Sequence, residues 1–483
     1  MKYVLNPNYV LLNDTSRIIL KSVDQNHSGF SFLHPLHASM LAFFDGKREL
    51  EETLSAISLH FGINTEDAHR IITPLLDNEK DVFIKFEGTT FRFSEHILTP
   101  CKLGQERDDL NPNGFQLNQE YDFKTKRFNR PYSIYYVINT HCKTDCIYCY
   151  ANKGQLYKPL ATNKILDIIE DAKQTGIREF DISGGEFLLQ KDWDVILKRL
   201  VDCRFNPNIS TKVPFTEKMV QKLVDSGIKE IQVSVDTFSP SLIGNDLRVP
   251  STYIDEMKQG LRMADEAGIR LILKGTQTKE TLNSENIKEI LDFARTLHNI
   301  KRYTISTIGY MQYKPKGLFK EIHPTIQQVA QFEQYLETVQ PTLPFDCYID
   351  NQTMTHSQLC NKTEFDNRGL CSGNTTGFVL LPDGKVTLCE ELYWDPQFLM
   401  GDLTTQSIME MWQSERAWKL WKVQQKSIPH SSACSHCKQF ESCRYQQGVC
   451  WKMIINAYGR ENSFYPDPRC PQAPPIKNNI CYD

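Results

Sequence analysis

The feature that most constrains the fold is an alternation of short apolar runs and amphipathic helical patterns between residues 133 and 307. Short apolar runs indicate buried strands, and strands that alternate with helices form parallel sheets whose carboxyl ends carry the site. We therefore predict an α/β fold built on a partial (β/α)6 barrel. Its six strands are expected at 133–138, 179–183, 208–211, 230–235, 270–275 and 303–307, with helices at 164–174, 193–201, 217–225, 255–267 and 284–297.

The first hundred residues have a different pattern, typical of a small α+β unit. A hairpin around Gly88 closes this unit, and the whole order predicts a winged-helix-like domain. Its strands are expected at 9–12, 17–23 and 29–33, its helices at 36–44, 50–61 and 65–76, and its hairpin strands at 82–86 and 90–93. We predict domains at 1–100, 131–315 and 316–483, a polar linker at 101–130, and C-terminal helices at 325–339 and 407–423.

Charge and hydropathy exclude several classes of protein. The net charge is −4, from 55 Lys and Arg against 59 Asp and Glu, so the chain has no broad attraction for nucleic acid. The helical patterns between residues 50 and 76 carry acidic residues rather than a basic face. No apolar run approaches the ~20 residues that span a bilayer, and Asn6, Pro7 and Asn8 interrupt the N-terminal apolar stretch. We therefore expect a cytoplasmic protein without a membrane or nucleic-acid partner.

The 15 cysteines are distributed unevenly. None precedes Cys101, three lie close together at Cys142, Cys146 and Cys149, and ten follow from Cys347 onward. In a reducing compartment such cysteines are metal ligands or reactive thiols rather than disulfides. The distribution predicts two metal regions and leaves Cys101, Cys203 and Cys481 as free thiols.

The first cysteine group has the spacing C-x3-C-x2-C and directly follows the first predicted barrel strand. Three thiolates on one loop can bind three irons of a four-iron cluster and leave the fourth iron open. A structural zinc site, the alternative, requires four protein ligands.

This triplet, with Tyr148 before its last cysteine and a barrel around it, resembles the radical S-adenosylmethionine (radical SAM) enzymes. The resemblance implies that the amino and carboxylate groups of SAM bind the open iron. It also implies that a 5′-deoxyadenosyl radical abstracts a substrate hydrogen after a donor such as flavodoxin or ferredoxin reduces the cluster.

Further motifs agree with the resemblance. Gly184-Gly185-Glu186 resembles the family's GGEP motif, with Phe187 in place of proline, and implies that the glutamate accepts the SAM ammonium group. Alternatively, these residues form only a turn between strand and helix. Ser234-Val-Asp236 resembles the ribose-binding pair, because alternate residues share one face of a strand. Lesser contacts to SAM are expected from Ser210, Thr211, Arg248 and Lys274.

The C-terminal cysteines resemble the SPASM domain, which carries two auxiliary [4Fe-4S] clusters in enzymes that modify peptides and proteins. Together with the cluster of the first cysteine group, this resemblance implies three [4Fe-4S] clusters. The first auxiliary cluster would be held by Cys371, Cys389, Cys450 and Cys360, with Cys347 competing for the last place, and the second by Cys434, Cys437, Cys443 and Cys470. Six residues separate Cys443 from Cys450 where the family usually has three. Two structural zinc sites are the alternative.

The order of strands and helices in residues 1–100 resembles the PqqD-like domain that binds leader peptides by strand addition. Residues 29–33 with helix 65–76 are the predicted groove. We therefore predict a radical SAM maturase of a ribosomally made precursor peptide (a RiPP maturase). Its product would be a thioether, carbon–carbon or ether crosslink, or an epimerised residue.

Two alternatives are a sulfatase-type maturase that forms formylglycine and a metal-binding winged-helix regulator. In sulfatase-type maturases an Asp follows the cysteine equivalent to Cys389, and here Glu390 stands in that place. The resemblance implies a catalytic base at Glu390, and the alternative is a solvated surface acid.

Overall fold

The computed structural model describes residues 1–23, 29–115, 117, 120–352, 354–359 and 361–481. The chain divides into two compact units, Met1–Asn129 and Arg130–Asp483. None of the described helices is long and apolar enough to cross a membrane.

The N-terminal unit contains the predicted strands, helices and hairpin. In chain order its elements are β1 (Lys2–Leu5), β2 (Tyr9–Asn13), β3 (Ile18–Ser22), β4 (Phe30–Leu33), α1 (Pro35–Leu41), β5 (Asp45–Glu49), α2 (Leu50–Phe61), α3 (Thr65–Ile72), β6 (Val82–Phe86), β7 (Thr89–Phe93) and β8 (Leu98–Pro100). Strands β2, β3 and β4 form an antiparallel sheet in which β4 is an edge strand. Its side chains pack with the helices around a core that includes Leu33, Leu41 and Leu54.

Three strands of this unit were not predicted. Strand β1 pairs with both β5 and β8, so these short segments are strands because of their backbone partners rather than their side-chain pattern. Strand β5, with the polar sequence DGKRE, lies between α1 and α2.

The segment 101–129 packs within the N-terminal unit. The buried guanidinium of Arg17 donates to the carbonyl oxygens of Asp122 at 2.9 Å and Arg127 at 2.6 Å, and also to that of Thr125. It also forms an ion pair with Asp14 at 2.9 Å. Hydrogen bonds to the buried Arg17 and packing of Leu110, Phe115 and Phe123 on the core therefore hold this segment, although its sequence has no periodic apolar pattern.

The second unit begins with alternating strands and helices. These are β9 (Ser133–Val137), α4 (Thr162–Thr175), β10 (Glu179–Ser183), α5 (Trp193–Asp202), β11 (Ser210–Thr211), α6 (Glu217–Ser226), β12 (Glu230–Ser234), α7 (Pro240–Asp246), α8 (Thr252–Glu266), β13 (Arg270–Gln277), α9 (Ser284–Ala294) and β14 (Ile300–Thr307). All six predicted strands are present and their pairings are parallel. A parallel bridge from Ile182 to Ile209 lies between β10 and β11.

The rest of the unit is less regular. Its elements are α10 (Leu318–Ile322), α11 (Ile326–Val339), β15 (Asp346–Asp350), α12 (His356–Leu359), α13 (Lys362–Asp366), β16 (Gly377–Leu380), β17 (Lys385–Thr387), β18 (Leu399–Asp402), α14 (Ile408–Trp412), α15 (Glu415–Trp421) and α16 (Trp451–Tyr458). The single helix predicted over 407–423 is two helices, because Ser414 caps a new helix by accepting from the Ala417 amide at 3.1 Å.

Two five-stranded sheets organise the second unit. Their orders are β10-β9-β16-β17-β18 and β11-β12-β13-β14-β15. Strand β16 pairs in parallel with β9, so a hairpin from the cysteine-rich region extends the sheet that carries the first cysteine loop. The strands predicted as one curved sheet thus lie in two sheets, which meet at the bridge between β10 and β11.

Candidate functional site

The first cysteine loop leaves the carboxyl end of β9 and is fixed by its backbone. The Asp145 amide donates to the Leu247 carbonyl at 3.0 Å, and the Ile147 amide donates to the Asp246 carbonyl at 3.0 Å. The side chain of Cys146 is buried. The loop is therefore held rigidly against the segment that follows α7.

The three thiols of this loop share one electrostatic environment. Burial raises the pKa of Cys142 to about 11, and the nearby Cys149 and Cys146 thiols add to the rise. Burial lowers the pKa of Lys153, but the three thiols raise it by more. A cation therefore stands beside a set of thiols whose negative charge it would balance.

Gly184 and Gly185 allow close contact between two loops. The Gly185 amide donates to the Asn139 carbonyl at 2.6 Å. A Cβ on Gly184 would lie 2.4 Å from that carbonyl oxygen, and a Cβ on Gly185 would lie 2.1 Å from the His141 carbonyl oxygen. The glycine pair thus approaches the backbone that leads into the cysteine loop.

Glu186 is 3% exposed and is held at both its backbone and its carboxylate. Asn139 donates from its side-chain amide to the Glu186 carbonyl at 3.0 Å and accepts from the Glu186 amide at 3.1 Å. The carboxylate accepts from the Lys212 amide at 2.8 Å and from the Thr211 hydroxyl. Burial raises the pKa of Glu186 despite these donors. Sequence reasoning missed Asn139, although it directly follows the first predicted strand.

Tyr148, Lys212 and Asp236 form a buried charged cluster beside the cysteine loop. The Lys212 ammonium lies 2.6 Å from the Asp236 carboxylate, 2.5 Å from the Tyr148 hydroxyl and 3.9 Å from the Cys146 sulfur. Tyr148 also donates to Asp236, which accepts from the Thr276 amide at 2.7 Å. Burial lowers the pKa of Lys212, but Asp236 and Cys146 raise it by more.

Sequence reasoning also missed Lys212. The signal that could have found it is its position: it follows Thr211 at the carboxyl end of β11, where the neighbouring strands β10 and β12 also place site residues.

The remaining residues predicted to contact SAM have neighbours of their own in the protein. The Ser210 hydroxyl accepts from the Gln232 side chain at 2.7 Å. Arg248 is exposed and pairs with Asp145 at 2.8 Å. Ser234 ends β12 and lies beside Lys274 of β13 in the strand register.

Glu390 lies in a group of tyrosines. Its carboxylate accepts from the Tyr150 hydroxyl at 3.2 Å and shares a hydrogen bond with Tyr135 of β9. Tyr393 is buried, and its pKa is raised by burial first, then by the Glu390 charge and the nearby Cys149 thiol. Glu390 is only partly exposed, and its surroundings link the first cysteine loop to the loop after Cys389.

Four cysteines of the C-terminal region line one cavity, together with apolar residues such as Phe365 and Phe440. They are Cys434, Cys437, Cys443 and Cys470. Arg368 donates to the Cys443 sulfur at 3.2 Å, and Arg444 donates to the Cys434 sulfur at 3.5 Å. The four cysteines predicted to share a site therefore face one another in the structure.

The structure describes three cysteines of the other predicted auxiliary group, Cys371, Cys389 and Cys450. Burial raises the pKa of Cys450 to about 12, and the nearby Cys371 thiol adds to the rise. Cys389 lies near Cys450. Cys360 lies outside the described residues. Its competitor Cys347 lies on β15, where its thiol is near Tyr303 and Tyr335.

The donor sets fit iron–sulfur clusters. In the part of the chain that the structure describes, no three or more His, Cys, Asp or Glu side chains are arranged to hold a single metal ion. Cys434, Cys437, Cys443 and Cys470 line one cavity, and cysteine thiolates are the ligands of iron–sulfur clusters.

Two family models match the chain. Residues 136–297 match the radical SAM superfamily, and residues 371–438 match the iron–sulfur cluster-binding SPASM domain. The chain therefore carries a radical SAM domain and a SPASM domain, and these domains support the binding of SAM and of iron–sulfur clusters. The matches favour an enzyme over the regulator alternative.

The proteins with similar sequences include GTP 3′,8-cyclases. A probable GTP 3′,8-cyclase of Pyrobaculum aerophilum is 26% identical over 270 residues, which cover 53% of this chain and 82% of that protein. A GTP 3′,8-cyclase of Nautilia profundicola is 27% identical over 181 residues, which cover 36% of this chain and 55% of that one. The second alignment thus spans about half the length of the relative.

The fold is similar to that of Streptococcus suis SuiB. The two share 13% identity and a TM-score of 0.59 over 99% of this chain and 100% of SuiB. A structure of SuiB bound to the precursor peptide SuiA is equally similar, with a TM-score of 0.59 and 14% identity. The likeness shows the fold and covers both compact units.

Proposed function

We propose that this protein is a radical SAM maturase that binds the leader of a ribosomally made precursor peptide and modifies a residue of its core. The observation that carries the proposal is the extent of the fold. The likeness to SuiB covers 99% of this chain, including its N-terminal unit, and SuiB has been crystallised with its precursor peptide. A catalytic domain alone would not need the N-terminal unit.

The N-terminal unit supplies a surface of the required kind. Strand β4 is an edge strand that pairs on one side with β3. An edge strand offers main-chain donors and acceptors to an extended peptide, and side-chain pockets then select the sequence. We infer that the leader adds to the sheet at β4.

The site of the second unit would hold the cofactors. Cys142, Cys146 and Cys149 would bind the first cluster, and SAM would lie against Glu186 and Asp236. When bound, the first cluster and SAM together supply a carbon radical that abstracts a hydrogen atom from the substrate. Tyr148 and Lys212 hold the Asp236 carboxylate in place, and the Gly184-Gly185 turn fixes Glu186 relative to the cysteine loop.

Glu390 would complete the reaction as a base. After a substrate carbon loses a hydrogen atom, forming its bond to a heteroatom releases one proton and one electron. The proton goes to the Glu390 carboxylate, which the Tyr150 hydroxyl orients. Clusters held at the auxiliary cysteines would accept the electron, which would balance the electron used to start the reaction.

The test is a reaction of the anaerobically reconstituted full-length protein with SAM, a reductant and the short peptide encoded beside its gene. A crosslinked product is two hydrogens lighter, and an epimerised product keeps its mass but takes up solvent deuterium. The variant with alanine at Cys142, Cys146 and Cys149 is the control and should form no product. An unmodified peptide under conditions that support SAM cleavage would overturn the proposal.

The same assay tests two other functions. The similarity to GTP 3′,8-cyclases favours a nucleotide substrate, so GTP replaces the peptide in a parallel reaction. A product with an aldehyde, captured by a hydrazide, would instead indicate formylglycine formation. Consumption of GTP without peptide modification would support the cyclase alternative.

A further inference from the structure

Two arginines touch the sulfur atoms of the four-cysteine cavity. The Arg368 guanidinium lies 3.2 Å from the Cys443 sulfur and the Arg444 guanidinium lies 3.5 Å from the Cys434 sulfur. Their residues are 8% and 7% exposed. Two cations are therefore buried against the ligands of one site.

The other contacts of these arginines bring no negative charge. Arg368 donates to the carbonyls of Gly448 at 2.9 Å and Phe365 at 2.5 Å, and Arg444 donates to the carbonyl of Tyr465 at 3.1 Å. The Nε and Nη1 atoms of Arg444 are buried without a hydrogen-bond partner among the described residues. Burying an unpaired guanidinium is costly. Apart from Asp467, which lines the same cavity but is paired with Arg469, the negative charge beside these arginines comes from the cysteine thiolates.

The surroundings of Cys389 and Cys450 are different. There the Lys452 ammonium forms an ion pair with the buried Glu391. Asp467 accepts from the Cys450 amide at 3.3 Å and is paired with Arg469 at 2.9 Å. Lys452 and Arg469, which lie near Cys450, therefore each have a carboxylate partner, whereas Arg368 and Arg444 have no carboxylate among their hydrogen-bond partners in the described part of the chain.

We propose that Arg368 and Arg444 raise the reduction potential of the site formed by Cys434, Cys437, Cys443 and Cys470. N–H donors and positive charge at the sulfur ligands stabilise the reduced, more negative form of a cluster and so raise its potential. Arg444 also lines the cavity beside Cys371, so it lies between the two groups. A raised potential would favour this site as the acceptor of the electron that is removed from the substrate.

This inference rests on the proposed function only in its last step, because the potentials need no peptide. The experiment is a redox titration of the anaerobically reconstituted full-length protein, followed by electron paramagnetic resonance. The signal of the four-cysteine site is identified by its loss in Cys470→Ala. In Arg368→Gln and Arg444→Gln its reduction equilibrium should shift at least tenfold toward the oxidised form, or 59 mV for one electron.

The matched control is Arg416→Gln. Arg416 also donates to backbone carbonyls, at 2.7 to 3.0 Å, but it has no recorded contact with a thiol. The midpoints of all clusters should stay unchanged in this variant. In Arg368→Gln the other two clusters should keep their midpoints, and in Arg444→Gln the first cluster should keep its own, because Arg444 also lies beside Cys371.

An unchanged midpoint of the four-cysteine site in both Gln variants would overturn the inference. So would a shift of the first cluster instead. If either Gln variant loses iron, Arg368→Lys and Arg444→Lys decide the matter, because lysine keeps the charge and loses the fork-shaped donor. A measurable but smaller fall in the midpoint then supports the inference, and no fall overturns it. A failed peptide reaction leaves these outcomes unaffected.

Discussion

The buried pair of Lys212 and Asp236 allows a quantitative test of the site. Replacing Lys212 with Met leaves a carboxylate that is 2% exposed without its cation. At the observed separation of 2.6 Å the gross Coulomb attraction is about 6 kcal/mol for an effective dielectric constant of about 20. The cost of burying the lysine ammonium offsets part of this attraction. In the variant, Asp236 still accepts hydrogen bonds from Thr276 and Tyr148, which reduces the loss further. We therefore expect the free energy of unfolding to fall by about 3 kcal/mol, which is at the low end of the values for broken buried ion pairs.

The assay is a double-mutant cycle by urea unfolding of the cofactor-free full-length protein. The variants are Lys212→Met, Asp236→Asn and the double variant, which buries neither charge and should recover most of the lost free energy. Lys222→Met breaks a partly exposed ion pair with Asp194 at 2.7 Å and should lower the free energy of unfolding by less than about 1 kcal/mol. If the effects of the two buried substitutions simply add, the pair is not coupled and the reasoning fails.

Three further predictions concern other parts of the chain. In Glu390→Gln the hydrogen bond from Tyr150 is retained but the base is lost, so SAM cleavage should continue while modified peptide falls by about 10²-fold or more; equal product formation would show that the residue is not the base. Gly185→Ala should lose the first cluster, measured by iron content, because its Cβ would lie 2.1 Å from a carbonyl oxygen, whereas Gly309→Ala meets nothing within 4 Å and should keep it. Burial lowers the pKa of His37 to about 4, below its value in the unfolded chain, so the N-terminal unit should lose up to about 3 kcal/mol of stability as the pH falls from about 6.5 to 4; a flat urea midpoint over that range would contradict this.

Much of the fold could be predicted from the sequence because side-chain periodicity marks strands and helices that bury one face. The six parallel strands of the second unit follow this rule. Strands β1, β5 and β15 do not, since β5 is the polar sequence DGKRE and β15 buries little besides Cys347. Their conformation depends on distant backbone partners that no local pattern encodes.

In the candidate site, too, some residues could be predicted from the sequence and others could not. The four cysteines of one auxiliary site were predicted from the resemblance to the SPASM domain, and they lie around one cavity. Lys212, Asn139 and the tyrosines around Glu390 were missed. Each acts through a contact between loops distant in sequence, and common residue types such as lysine and tyrosine carry no signal of their own.

The central claim is that this chain removes a hydrogen atom from a peptide residue with a radical derived from SAM. The most direct measurement uses the precursor peptide with its core residues uniformly deuterated at carbon, and follows the isotope by mass spectrometry. We predict that deuterium appears in 5′-deoxyadenosine in step with the modified peptide, and that neither forms when alanine replaces Cys142, Cys146 and Cys149. 5′-Deoxyadenosine that stays free of deuterium while the peptide remains unchanged would contradict the account.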